Sequence, residues 1–257
     1  DSKNPTEHVT YLSQSGLGLP NRGYYMDNDE KSINIRKEYV IHVEKMFQLY
    51  GMKNSKDLAK TVMNLETRLA KFHWKKEKNR DPVATYNLSS MSELSSMIPG
   101  LDWDRWLKAT DMAEIDKIII RQPDYIKNIN NIIMETSISD WKTYYRWALI
   151  NRFASLLSSD FDKQNFHFYR TVLSGVKKME PRWKRGVGVV SGAMGEIIGK
   201  VYVDKHFDQK AKDRMIELVE NLRKAYKNGI EELEWMSDST KAQAQYKLKK
   251  FRPKIGF

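Results

Sequence analysis

Apolar residues recur at three- and four-residue steps through most of this chain, which commits it to helices that each bury one face. Tyr39, Val43, Met46, Phe47 and Tyr50 share a face of a segment starting near Ile33, and Gly51 is expected to end it. Leu58, Val62, Leu65, Leu69 and Phe72 step the same way in a second helix, with Asn54 or Ser55 as its cap. A short polar turn between the two predicts an antiparallel pair. Residues 1–30 read differently: LGLPNRGYY at Leu17 to Tyr25 is rich in turn formers and predicts an irregular leading segment.

Further along, Ser90 and Glu93 have capping-box spacing, and Trp103 and Trp106 sit on neighbouring helical positions as core or interface anchors. Lys117 to Arg121, with its Ile-Ile-Ile centre, is the one good strand candidate. A single short strand makes no sheet, so its partner is expected outside this chain. Pro123 suits the first turn of a helix reaching Met134. Ser139 is expected to cap a long helix with Trp141, Tyr144, Tyr145, Ala148, Leu149, Phe153 and Leu156 mostly inward. Helical patterns then run over 160–173, 181–205, 208–234 and 239–250. The fold class expected is mainly α, a multi-helix domain with long antiparallel helices and very little sheet.

At 257 residues, with 40% hydrophobic and 11% aromatic content, the chain can bury a sizeable core, which excludes a disordered reading. No uninterrupted apolar run approaches twenty residues, so no membrane span is expected. The first residues are too polar for a signal peptide. The absence of Cys excludes disulfides, thiolate metal sites and cysteine nucleophiles. A formal charge of +11 suits an anionic partner, and Lys177 to Arg185 interleaves Trp183 with cations. That charge is spread among 33 acidic residues, which favours a solvated helical surface over nucleic acid. A stand-alone basic helical binding protein for an anionic partner, such as nucleic acid, is the alternative function.

Gly188, Gly192, Gly195 and Gly199 fall in one narrow helical stripe. Each costs about 1 kcal/mol of helix propensity, so close packing against another element is the expected compensation. His42 follows Glu38 by four residues and His73 precedes Glu77 by four, which places each pair on one helix face. One histidine with one carboxylate is too few for a catalytic metal site, and hydrogen bonding is the expected role. The five histidines stand apart with no HExxH, and no strained nucleophile turn stands out. Catalytic residues and metal ligands are therefore expected to be none.

Several segments together resemble the neprilysin family of zinc metallopeptidases. QSGLGLPNRGYY from Gln14 is similar to that family's LGLP-x-RDYY signature. LETRLAKFHW, NRDPVATYN, LDW, RQPDYI, SDWKTYYRW, NFHFYRTVLSG, PRWKRGV, MGEIIGKVYVDKHF, LRKAYKNGIEELEWMSDSTK and KIGF follow in family order to the last residue. Gly23 departs from the signature, standing where an acidic residue is usual, which puts any salt bridge or cap made there in doubt and leaves Arg22 freer. Relatives continue past Phe257 with a Pro-Asp segment.

The resemblance implies that the chain begins after the family's amino-terminal stretch and stops before the zinc motifs. It implies a parent zinc endopeptidase for oligopeptides, acting outside the cytoplasm, whose zinc sits in a thermolysin-like catalytic domain outside this chain. Residues 1–30 would contact that domain, with Arg22, Tyr24 and Tyr25 as candidate interdomain or cavity contacts and local packing as the other reading. Residues 31–257 would form a helical wall that restricts substrate size, cut short at its C-terminal end. The segment alone would be inactive.

Overall fold

The computed structural model describes residues 1–256, so Phe257, where the resemblance implies continuation, lies outside the described residues. The chain divides into two compact units, Asp1–Met179 and the residues from Glu180 onward. It is mainly α, as the periodicity predicts.

In the first unit, β1 (Thr10–Leu12) and the one-turn helix α1 (Gly23–Met26) precede the long helices α2 (Glu30–Leu49) and α3 (Ser55–Phe72). Asp29 caps α2, its side chain accepting the Ser32 N–H at 3.0 Å. Gly51, at φ 87°, ends it and lets the Met52 N–H return to the Phe47 carbonyl at 3.0 Å. Asn54 takes the N-cap position of α3, as expected, but makes no side-chain cap bond, and the Ser55 hydroxyl donates back to the Met52 carbonyl. Tyr39, Val43, Met46 and Phe47 of α2 meet Ala59, Val62 and Ala70 of α3 in one core that also takes in Trp147 and Phe168.

Then follow α4 (Lys76–Asn79), β2 (Leu88–Ser90), α5 (Met91–Met97), α6 (Trp103–Ala109), β3 (Lys117–Ile120) and α7 (Pro123–Glu135). Ser90 and Glu93 form the expected capping box. The strand's partners lie within the chain, contrary to expectation: β1 pairs with β3 in parallel and β2 pairs with it antiparallel, giving the order β1-β3-β2. Both partners are three residues long and mostly polar or half-exposed, so they carry no strand periodicity. Ile118, Ile119 and Ile120 are fully buried, and Ile118 and Ile120 pack in a second core with Leu65, Leu69, Leu94, Trp103 and Tyr125.

The helix α8 (Ile138–Phe153) is capped by Ser137 rather than Ser139. Its inward face also differs from expectation. Tyr145, Leu149, Phe153 and Leu156 are exposed, whereas Thr143, Trp147 and Ile150 are buried. Apolar and aromatic residues surround this helix on all sides, so spacing alone does not select a face. A short 3-10 turn (Ala154–Leu156), α9 (Ser159–Phe166) and a π-helical turn (His167–Val172) complete the unit.

In the second unit, α10 (Arg182–His206), α11 (Gln209–Glu232) and α12 (Asp238–Lys250) include no buried residue. Met194 breaks the regular φ/ψ of α10 at φ −134°, ψ 24°. By length and composition alone α10 is apolar enough to cross a membrane, although Glu196 and Lys200 interrupt its apolar run. Helices α11 and α12 face one another: the side chain of Gln245 donates to the Lys227 carbonyl and that of Lys241 to the Glu231 carbonyl, each at 2.8 Å. Val219, Leu222, Tyr226, Leu248 and Phe251 line an apolar groove of about 700 Å³ beside them.

Candidate functional site

Backbone polar groups in a segment without regular structure need partners from elsewhere, and in residues 14–25 aromatic side chains supply them. The Ser15 carbonyl accepts from the Tyr125 hydroxyl at 2.9 Å and from His73 Nε2 at 3.1 Å. The Gly16 carbonyl accepts from Tyr144 at 2.9 Å and the Gly18 carbonyl from Tyr169 at 3.1 Å. Gln14 is held at both ends, its N–H donating to Gln122 Oε1 at 2.8 Å while its own Oε1 accepts the Trp74 N–H at 2.7 Å. Residues from α3, α7, α8 and the π turn thus converge on one stretch of chain.

At the centre of this clamp lies Glu66 of α3, 1% exposed. Tyr25 donates to its Oε2 at 2.6 Å and Tyr39 to its Oε1 at 2.9 Å. Each tyrosine hydroxyl also accepts an N–H: Leu19 N–H reaches Tyr25 at 2.9 Å, and Trp147 Nε1–H reaches Tyr39 at 3.0 Å. That second bond leaves each hydroxyl proton free for the carboxyl group. Burial pushes Glu66 up to about 7, outweighing the bonds from Tyr25, Tyr39 and the Gly18 backbone that favour the carboxylate. The phenols of Tyr25 and Tyr39 are raised far above their ordinary range, by burial first and then by the charge of Glu66. A Cβ at Gly18 would collide with the Tyr39 hydroxyl, so only glycine lets the segment come this close.

The candidate contact residues fall on different sides of this network. Tyr25 is buried and belongs to it. Tyr24 is half-buried against the first core, its carbonyl accepting from Arg36 Nη1 at 2.8 Å. Arg22 lines two surface recesses of about 450 and 480 Å³, and its Nε is buried with no hydrogen-bond partner among the described residues. The glycine stripe meets nothing: a Cβ at Gly188, Gly192, Gly195 or Gly199 would find no described atom within 4 Å.

The histidines turn away from the carboxylates that share their spacing. His42 Nδ1 meets Gln164 at 3.2 Å, and its ring stacks on Phe168 with centroids 4.8 Å apart. Burial, with smaller contributions from the charges of His167 and Lys45, holds His42 down at about 3. His73 is also lowered, by burial first. Among the described residues no three His, Cys, Asp or Glu side chains stand where they could share a metal ion.

Spacing did not single out Glu66, although its signal is present: it lies four residues after Val62 and three before Leu69, a carboxylate inside an apolar stripe. Tyr39 and Tyr144 were read as core, and their hydroxyl roles carry no local signature.

The chain is similar to known proteins over its whole length. The model of peptidase family M13 matches residues 1–257. Endothelin-converting enzyme 1 of Rattus norvegicus is 26% identical over 263 residues, covering 100% of this chain and 34% of that protein. Zinc metalloprotease Zmp1 of Mycobacterium tuberculosis, solved in complex with an inhibitor, superposes with a TM-score of 0.84 at 37% identity, covering 94% of this chain and 37% of that one. Its open state gives 0.81 at 38% identity, covering 98% of this chain and 40% of that one. The fold and these matches together define the helical N-terminal portion typical of a metallopeptidase family. The chain belongs to peptidase family M13, the neprilysin family. It spans about a third of the length of the curated relatives it matches.

Proposed function

We propose that the full-length protein is a zinc metalloendopeptidase acting on oligopeptides outside the cytoplasm, and that this chain forms the helical wall limiting which substrates reach the active site. The observation that carries this reading is the match of nearly the whole chain to a zinc metalloprotease of which it covers only 37%. In this reading zinc supplies water activation and carbonyl polarisation. No zinc ligand is assigned to this chain, and its own contribution is exclusion by size. Arg22 and Tyr24 would face the remainder of the protein or its substrate cavity, and Tyr25 would hold the segment that carries them. The glycine stripe of α10 would admit an element of that remainder at close range.

The full-length protein should cleave a quenched fluorescent oligopeptide, lose activity to a chelator and regain it with zinc. The same target sequence placed within a folded protein should resist. Residues 1–257 alone should leave the peptide intact. Cleavage by residues 1–257 alone would overturn the assignment of chemistry to the remainder, and equal cleavage of the free and folded targets would overturn size exclusion.

A further inference from the structure

Helix α11 presents an apolar stripe that its own unit leaves half open. Val219, Leu222, Tyr226 and Ile230 step by three, four and four residues, so they share one face over about 16 Å of helix. Leu222 is 51% and Tyr226 65% exposed. Ala244, Leu248 and Phe251 repeat at matching steps along α12 and just past its end, and Phe251 stays 57% exposed. These two stripes line the groove of about 700 Å³. An amphipathic helix ordinarily lays its apolar face against another element, and here part of that face has none.

The charge around the groove has one sign. Arg223, Lys247, Arg252 and Lys254 are among its lining residues, and no Asp or Glu is. Arg223 is answered by Glu220 at 2.7 Å, and its Nη2 also donates to the Leu248 carbonyl at 3.4 Å. Lys247, Arg252 and Lys254 are exposed and form no ion pair among the described residues. The sequence offers them no nearby acid either: from Ser239 to the last residue it contains six Lys or Arg and no Asp or Glu. Unanswered cations beside an apolar groove select a partner that is apolar on one side and anionic at its edge.

The walls decide the shape of that partner. Both are helices whose backbone groups bond internally, so an extended strand would find no open edge to pair with. A helix brings its own backbone bonds, and its ridges fit between ridges of the same three- and four-residue spacing. We propose that this groove seats an amphipathic helix, apolar on the face it buries and acidic along the flank it turns to Lys247, Arg252 and Lys254, and that the remainder of the full-length protein supplies it. The source of the helix rests on the reading above, in which this chain is about a third of a longer protein; the preference of the groove stands without it.

The probe is a capped, fluorescein-labelled peptide of about 18 residues with leucine on one face and glutamate on the flanks, long enough to form a helix on a surface. Residues 1–257 should bind it roughly tenfold more tightly than the same peptide with lysine in place of glutamate, read by fluorescence anisotropy at physiological salt. Leu222→Glu, at an exposed position, should weaken binding roughly tenfold with an unchanged helical dichroism spectrum. Lys247→Ala and Arg252→Ala should each weaken it about two- to fivefold. The full-length protein, its groove already filled, should bind the acidic peptide roughly tenfold less tightly than residues 1–257 do. Acidic and basic peptides binding alike, or Leu222→Glu binding as well as the natural sequence, overturns the groove as a seat for such a helix. Sodium dodecanoate binding that Leu222→Glu abolishes, with no binding of the acidic peptide, overturns the helix in favour of a fatty acid. Equal affinity of the full-length protein and residues 1–257 overturns the supply of the helix from within. Cleavage of the quenched oligopeptide by the full-length protein decides the peptidase reading separately, so either can fail without the other.

Discussion

Glu66 concentrates the residue-scale physics of this fold. Its folded value of about 7 lies above its ordinary 4.5, so between those values the folded state keeps a proton that the unfolded state has released. The stabilising contribution is complete below about pH 4.5 and is lost as pH rises through 7, on the order of 3 kcal/mol in all. Urea midpoints measured from pH 5 to 8 should fall more steeply for the natural protein than for Glu66→Gln, which has no proton to lose; parallel slopes would remove Glu66 as the cause. Gly18→Ala should cost about 1–3 kcal/mol through the clash with the Tyr39 hydroxyl. Tyr39→Phe in the same background should recover part of that loss, a coupling readable in a double-mutant cycle of urea midpoints. At this scale the sequence was half legible. Tyr39 stood on the apolar stripe of α2 and was placed as core, but the bond from Trp147, 108 positions away, joins elements whose adjacency no local pattern announces.

Among the elements, legibility followed the contrast between faces. Helices α2 and α3 bury most of the residues their stripes single out, because polar residues mark the opposite side, but Tyr50 at the C-cap of α2 stands exposed, contrary to expectation. Helix α8 has no such contrast, and tertiary bonding chose its face: Trp147 turns inward to reach Tyr39. Strands β1 and β2 escaped notice because three residues are too few to alternate, and the buried Ile-Ile-Ile of β3 recruits them. In α10 the glycine stripe was legible as sequence but is unaccompanied as structure. Gly195→Ala in residues 1–257 should leave the unfolding free energy from urea titration unchanged or raise it by about 0.5–1 kcal/mol, since a Cβ there meets open space. In the full-length protein Gly195→Leu should lower the melting temperature if the stripe packs, and an unchanged value would remove packing as the reason for its glycines.

Over the whole molecule the two units differ in what they bury. The first contains both cores and the sheet, whereas no described residue from Glu180 onward is buried and Trp183, Ile197, Tyr202 and Trp235 stand exposed. Residues 1–179 expressed alone should therefore keep a near-ultraviolet dichroism spectrum and a single cooperative urea transition. Residues 180–257 alone should bind a hydrophobic dye and lose helix gradually. A sharp transition in the second fragment would contradict the burial pattern.

The parallel pairing of Thr10–Leu12 with Ile118–Ile120 bears on synthesis as well as stability. A ribosome must deliver more than a hundred residues before the first strand finds its neighbour, and the carbonyls of Gly16 and Gly18 wait longer still, for Tyr144 and Tyr169. Through that interval the first strand and the segment that follows it stay unlatched, and their closure belongs to the slow, non-local phase of folding.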